Sequence, residues 1–144
     1  MAFTQEWLYW AILSAVFAAL TAIFAKVGLP NVDSDFATLV RTVVIVVVLS
    51  VFVAAAGKWQ NPFSLQPRTL LFLGLSGLAT GASWVCYFRA LKMGDVSQVA
   101  PVDKLSLVLV AIFAFIFLQE RPSTKDWFGV LLVTLGVVML AYKK

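Results

Sequence analysis

"WLYWAILSAVFAALTAIFA", residues 7 to 25, carries no charged side chain. A helix of this length, rising about 1.5 Å per residue, reaches nearly across the roughly 30 Å of hydrocarbon in a bilayer. A membrane strand would alternate in polarity over about ten residues, and this run does not. The stretch therefore reads as a transmembrane helix, and the rest of the chain repeats the pattern. Neutral apolar runs recur at Thr42 to Gly57, Thr69 to Phe88, Leu105 to Gln119 and Trp127 to Tyr142. The second reaches spanning length if it starts near Phe36 and takes in Arg41, the fourth if it starts near Gln98 and takes in Asp103 and Lys104. The last gains anchors from Trp127 at one end and from Lys143 and Lys144, which can snorkel, at the other. The expected fold class is thus an all-α integral membrane protein with five transmembrane helices, at approximately 5–27, 36–57, 68–91, 97–119 and 125–142, in a single domain over 1–144.

Composition supports this reading and excludes others. The chain is 62% hydrophobic and 12% charged, whereas ordinary globular domains carry roughly 25% charged residues. No Lys or Arg precedes Trp7, so the first run lacks the basic region of a secretory signal and is read as retained. The single cysteine, Cys86, can form neither an intrachain bridge nor a multi-ligand metal site, and there is no histidine. With no carboxylate cluster at metal spacing, hydrolase and metalloenzyme chemistry lack their usual parts; no metal, cofactor or catalytic residue is expected. The net charge of +4 suits a membrane protein with basic links and gives no support for nucleic-acid binding. The expected surroundings are the lipid bilayer and a small-molecule substrate.

The links "KVGLPNVDSD", "KWQNPFSLQPR", "KMGDVS" and "ERPSTKD" are short, so no domain boundary is expected. Ser123 or Thr124 followed by Asp126 suits a helix start, and Pro62 and Pro67 mark a break before the third span. Small residues recur at helical spacing as Ala11, Ala15, Ala18, Ala22 and Ala25, as Gly74, Gly77 and Gly81, and as Gly129 and Gly136. Such stripes allow helices to pack closely in lipid or to self-associate. With alternating spans, Lys58, Arg68, Arg121 and Lys125 share one side, while Lys26, Arg89, Lys92, Lys143 and Lys144 share the other, joined by Arg41 and Lys104 if those count as flanks. That balance gives the positive-inside rule little to act on, so insertion in both orientations is expected. An odd number of spans is also what one of two inverted repeats would look like alone. An antiparallel homodimer would restore the symmetry, and a parallel dimer is the alternative.

The same assignment gathers Lys26, Arg41, Arg89, Asp103 and Lys104 near one face. Charges in spans usually pair with one another or line a watery cavity. Two readings follow: a salt bridge centred on Asp103 that fixes helix register, or a site where surplus positive charge meets an anionic group of a substrate or Asp103 exchanges a proton. Thr80, Trp84 and Tyr87 form one stripe on the third span, and Trp10, Ser14 and Thr21 align on the first. Both could line a solute cavity, or serve as interfacial belt residues and self-bonded hydroxyls. Glu120 is read as an interfacial acid paired with Arg121 or Lys125, or as a gate.

The stretch "YFRALKMGDVSQVAPVDKLSLVLVAIFAFIFLQERPSTKDWFGVLLVTLGVVML", Tyr87 to Leu140, resembles the EamA-type domain of the drug/metabolite transporter superfamily. The shared features are "RAL" closing a helix, a glycine-containing turn, "APV" opening the next, a "FLQER" exit and a glycine-spaced last helix. "FAKVGL" at the end of the first run also fits, whereas Val32 to Arg68 matches mainly in hydropathy. The resemblance implies a secondary transporter of metabolites or drugs in the cytoplasmic (inner) membrane. Typical relatives have two such domains in ten helices; this chain is similar to the single-domain, five-helix members. The four-helix multidrug exporters carry an acid in the first helix that is missing from residues 7 to 25. A non-transporting subunit that scaffolds or regulates a partner is the alternative.

Overall fold

The computed structural model describes residues 6–142, so the expected roles of Lys143 and Lys144 lie outside the described residues. Its elements in chain order are α1 (Glu6–Gly28), α2 (Ser34–Ala55), a 3₁₀ turn (Pro62–Ser64), α3 (Pro67–Met93), α4 (Val96–Asp103), α5 (Ser106–Phe117) and α6 (Thr124–Ala141). Long apolar helices account for five candidate membrane spans, of 23, 22, 27, 22 and 18 residues, with α4 and α5 together forming the fourth. The fold is all-helical among the described residues, and the chain is a multi-pass membrane protein.

Helix ends follow from local chemistry. Asp33 opens α2, its carboxylate accepting the backbone N–H of Asp35 at 2.9 Å and of Phe36 at 3.1 Å. At the other end Gly57 has φ +65°, a backbone conformation that costs an L side chain about 1 kcal/mol or more. Its N–H donates to Ala54 O and that of Lys58 to Val53 O, both at 3.0 Å, closing α2 with the paired bonds of a Schellman motif. Ser123 caps α6 reciprocally: its Oγ accepts the Asp126 N–H at 3.3 Å, and the Asp126 carboxylate accepts the Ser123 N–H at 2.8 Å. The expected helix start at Ser123 is therefore present, as a capping box.

The fourth span, expected as one helix over 97–119, is interrupted. Pro101 lies inside α4 and has no N–H to offer the turn before it. Beyond it the ladder tightens: Lys104 N donates to Pro101 O at 2.9 Å, and Leu105 to Val102, Leu107 to Lys104 and Val108 to Leu105, each at 3.0 Å. These three-residue spacings make a tight turn between α4 and α5, and they leave Asp103 and Lys104 at the break.

The chain divides into two compact units: one takes in residues up to Phe24 together with those from Met93 on, the other spans Ala25–Lys92. In the first, α6 packs with α4 and α5, and Phe115 meets Trp127 edge-on at 6.4 Å. In the second, Leu29, Ser34, Thr38, Phe88 and Leu91 are buried, and Leu91 is sealed completely. Most large apolar side chains are exposed, among them Phe24, Leu78 and Phe117, as expected where lipid replaces water as the surrounding medium.

Candidate functional site

Within the second unit, four cations sit near the start of α2 and the end of α3, held in three different ways. Arg89 on α3 donates from Nε to Asp35 Oδ1 at 2.9 Å and from Nη2 to Asp35 Oδ2 at 2.5 Å. The planar fork of the guanidinium matches both carboxylate oxygens, so this contact fixes orientation as well as distance. Lys26 Nζ donates to Leu91 O and Lys92 Nζ to Val32 O, both at 2.6 Å. The end of α1 and the link after it are thus tied to the end of α3, and a cavity of about 260 Å³ lies between Lys26, Leu29, Pro30, Leu91 and Lys92.

Arg41 is bound through aromatic faces. Its guanidinium carbon lies 4.2 Å from the centre of the Trp84 ring and 5.2 Å from that of Phe88. A cation over an indole gains about 0.5–1 kcal/mol when exposed and about 2 when desolvated; Arg41 is half-buried. Two positions from the expected site, Arg41 on the second span and Trp84 on the third, are thereby brought together.

The expected residues otherwise have more local partners. Thr80 Oγ1 donates to Ser76 O of its own helix at 2.8 Å. Tyr87 meets the Phe88 ring edge-on at 6.4 Å. In the first unit Trp10 is 66% exposed and edge-on to Tyr9 at 5.6 Å, while Ser14 is exposed and Thr21 half-buried on the same helix. Asp103 meets its chain neighbour Lys104 at 3.5 Å, a loose pair. Glu120 is exposed and makes no ion pair among the described residues, neither with Arg121 nor with Lys125; its backbone N–H reaches Ala114 O at 3.2 Å. No group of three or more His, Cys, Asp or Glu side chains suited to a metal occurs among the described residues.

Asp35, the carboxylate that pairs with Arg89, is the member of this charged group that sequence reasoning overlooked. It stands in the link "KVGLPNVDSD", where acids read as loop and cap chemistry, and its partner is 54 residues away. Its place in the first turn of a spanning helix was the available signal.

An EamA-like transporter family model matches residues 5–142. The chain belongs to the EamA-like transporter family. This is a family of transporters rather than of enzymes. An "Uncharacterized transporter in cobO 3'region" of Sinorhizobium sp is 59% identical over 138 residues, which is 96% of this chain and 98% of that protein. A "Probable 4-amino-4-deoxy-L-arabinose-phosphoundecaprenol flippase subunit ArnE" of Hamiltonella defensa is 24% identical over 86 residues, 60% of this chain and 76% of that one. The "S-adenosylmethionine uptake transporter" of Rickettsia bellii is 27% identical over 144 residues; the match takes in 99% of this chain but only 47% of the relative. No solved structure matches this EamA-like chain.

Proposed function

We propose that this protein is a secondary carrier of small organic metabolites or drugs, working by alternating access in the cytoplasmic membrane as an antiparallel homodimer. The carrying observation is the break in the fourth span, where Pro101 interrupts the helix and leaves Asp103 and Lys104 at mid-span. Transporter sites are typically built at such discontinuities, where backbone groups and charges can meet a solute or a coupling ion. The Arg41 and Trp84 pairing adds a second polar position within a span. Each copy then contributes half of a ten-helix inverted repeat, with Trp10, Ser14, Thr21, Thr80, Trp84 and Tyr87 as cavity lining and Glu120 as a gate.

Three observations favour two copies. With alternating spans, four basic residues fall on one side against five to seven on the other, a weak bias for fixing orientation. The chain covers 47% of the S-adenosylmethionine uptake transporter, so two copies supply a comparable length. A Cβ built at Gly74, Gly77, Gly81, Gly129 or Gly136 would meet nothing within 4 Å, leaving room for a helix of another copy. Reporters fused after Lys144, one active only inside the cell and one only outside, test the arrangement: both signals are expected, and a single signal overturns the antiparallel homodimer.

Transport itself is tested by solute flux into liposomes containing only this protein. Asp103→Asn is expected to leave assembly intact while reducing flux. Loss of assembly with no separate effect on flux would return Asp103 to a register-fixing role. A second reading, a membrane subunit that works only with a different partner, is favoured by the likeness to the Hamiltonella protein, a probable flippase subunit. Absence of flux together with stable copurification of another membrane protein would select it.

A further inference from the structure

We propose that Arg41 is the recognition site for the anionic group of the carried solute, a carboxylate or phosphate on a small organic body; this rests on the carrier reading. Arg41 is the eighth residue of α2 (Ser34–Ala55), so its Cα lies about 10 Å along the helix from its start. At that depth an arginine is costly unless its charge and its N–H donors are satisfied. The surrounding cations show how this chain satisfies them: Arg89 has a carboxylate, and Lys26 and Lys92 have backbone carbonyls. Arg41 has aromatic faces, at 4.2 and 5.2 Å, and among the described residues its guanidinium makes no ion pair and no hydrogen bond.

Rings offset the charge but provide no strong acceptor for five N–H groups. Those donors are not sealed away, because no buried side-chain nitrogen or oxygen among the described residues lacks a hydrogen-bond partner. The guanidinium is therefore positioned by Trp84 and Phe88 while its hydrogen-bonding edge remains available. An oxyanion fits these donors: two oxygens accept two parallel N–H bonds. Trp84 and Tyr87, both half-buried on the same helix, offer ring surface to the apolar body of the solute. An organic anion satisfies both features, whereas a neutral solute leaves the positive charge unmatched and a cationic one is repelled.

The test uses the full chain in phosphatidylcholine nanodiscs, titrated calorimetrically with benzoate, phenyl phosphate and the neutral isostere benzamide. Saturable binding of at least one of the two anions and none of benzamide is expected. Arg41→Gln should weaken anion binding at least tenfold, and Arg41→Lys, which keeps the charge but not the fork, several-fold; circular dichroism checks that each variant is folded. Should Arg41→Gln fail to fold, the comparison of Arg41→Lys with wild type decides alone. Competition by short-chain phosphatidylglycerol would identify a lipid headgroup as an occupant of the same site, and lack of competition would assign the site to free solutes; both support it. No saturable binding of any of these anions to wild type, or binding unchanged by the tested substitutions, overturns it. Flux measurements separate the two proposals: anion binding lost in the variants without any flux refutes only the carrier, while flux of solutes irrespective of charge and insensitive to Arg41 refutes only this site.

Discussion

Replacing Pro101 by alanine tests whether the proline itself maintains the break in the fourth span. Alanine restores an N–H that can donate to Ser97 O four residues earlier, while the existing bonds from Lys104 to Pro101 and from Leu105 to Val102 would have to lengthen into the α pattern. Proline in a helix interior costs about 3 kcal/mol relative to alanine. Here the chain has already relaxed around it, so the lower bound is the net value of one restored hydrogen bond, about 1 kcal/mol. Pro101→Ala should thus stabilise the protein by about 1–3 kcal/mol, a factor of roughly 5 to 150 in the folded ratio. Reversible unfolding in mixed micelles measures that gain, and amide hydrogen exchange at Lys104, Leu105, Leu107 and Val108 should slow with it. Flux should fall several-fold, because a continuous helix covers the backbone groups that the break exposes. Unchanged exchange and stability would refute the reasoning and assign the break to something other than the proline.

Gly57→Ala should destabilise by about 1 kcal/mol through backbone strain alone, since φ is +65° and the added Cβ meets nothing within 4 Å; thermal unfolding in detergent measures it. Leu91→Ala should cost about 3 kcal/mol, because this side chain is fully enclosed and the space it leaves would stay largely unfilled; the unfolding midpoint in mixed micelles reports the loss. Exchanging Asp35 and Arg89 for each other should recover much of the thermal stability lost in Asp35→Arg or Arg89→Asp alone, and no recovery in the double variant would separate these residues energetically.

Much of this architecture was legible because lipid imposes a simple requirement on sequence. Uninterrupted apolar length marked the spans, and the Ser123 and Asp126 pair marked the start of α6 with the spacing its reciprocal hydrogen bonds need. The interruption at Pro101 was visible as a residue but not as a consequence, since proline can also open a helix and only the ladder around it distinguishes the two. The cationic group was legible as charges and not as contacts. Lys26 and Lys92 bond to carbonyls, which every residue possesses and no letter of the sequence marks. Arg89 reaches Asp35 across 54 residues, a relation that the period of either helix alone does not contain. The Arg41 and Trp84 contact likewise joins residues on two different helices, which is why the two read separately in sequence, one as a charge and one as an aromatic stripe.

The ties that the end of α3 makes to the end of α1, the link after it and the start of α2 also set a schedule for biogenesis. Asp35 waits 54 residues for Arg89, Val32 waits 60 for Lys92, and Lys26 waits 65 for Leu91. At roughly 5–20 residues per second, a ribosome leaves these groups without those partners for about 3 to 13 seconds. During that interval the start of α2 and the link before it lack these contacts, and the arrival of the end of α3 supplies them.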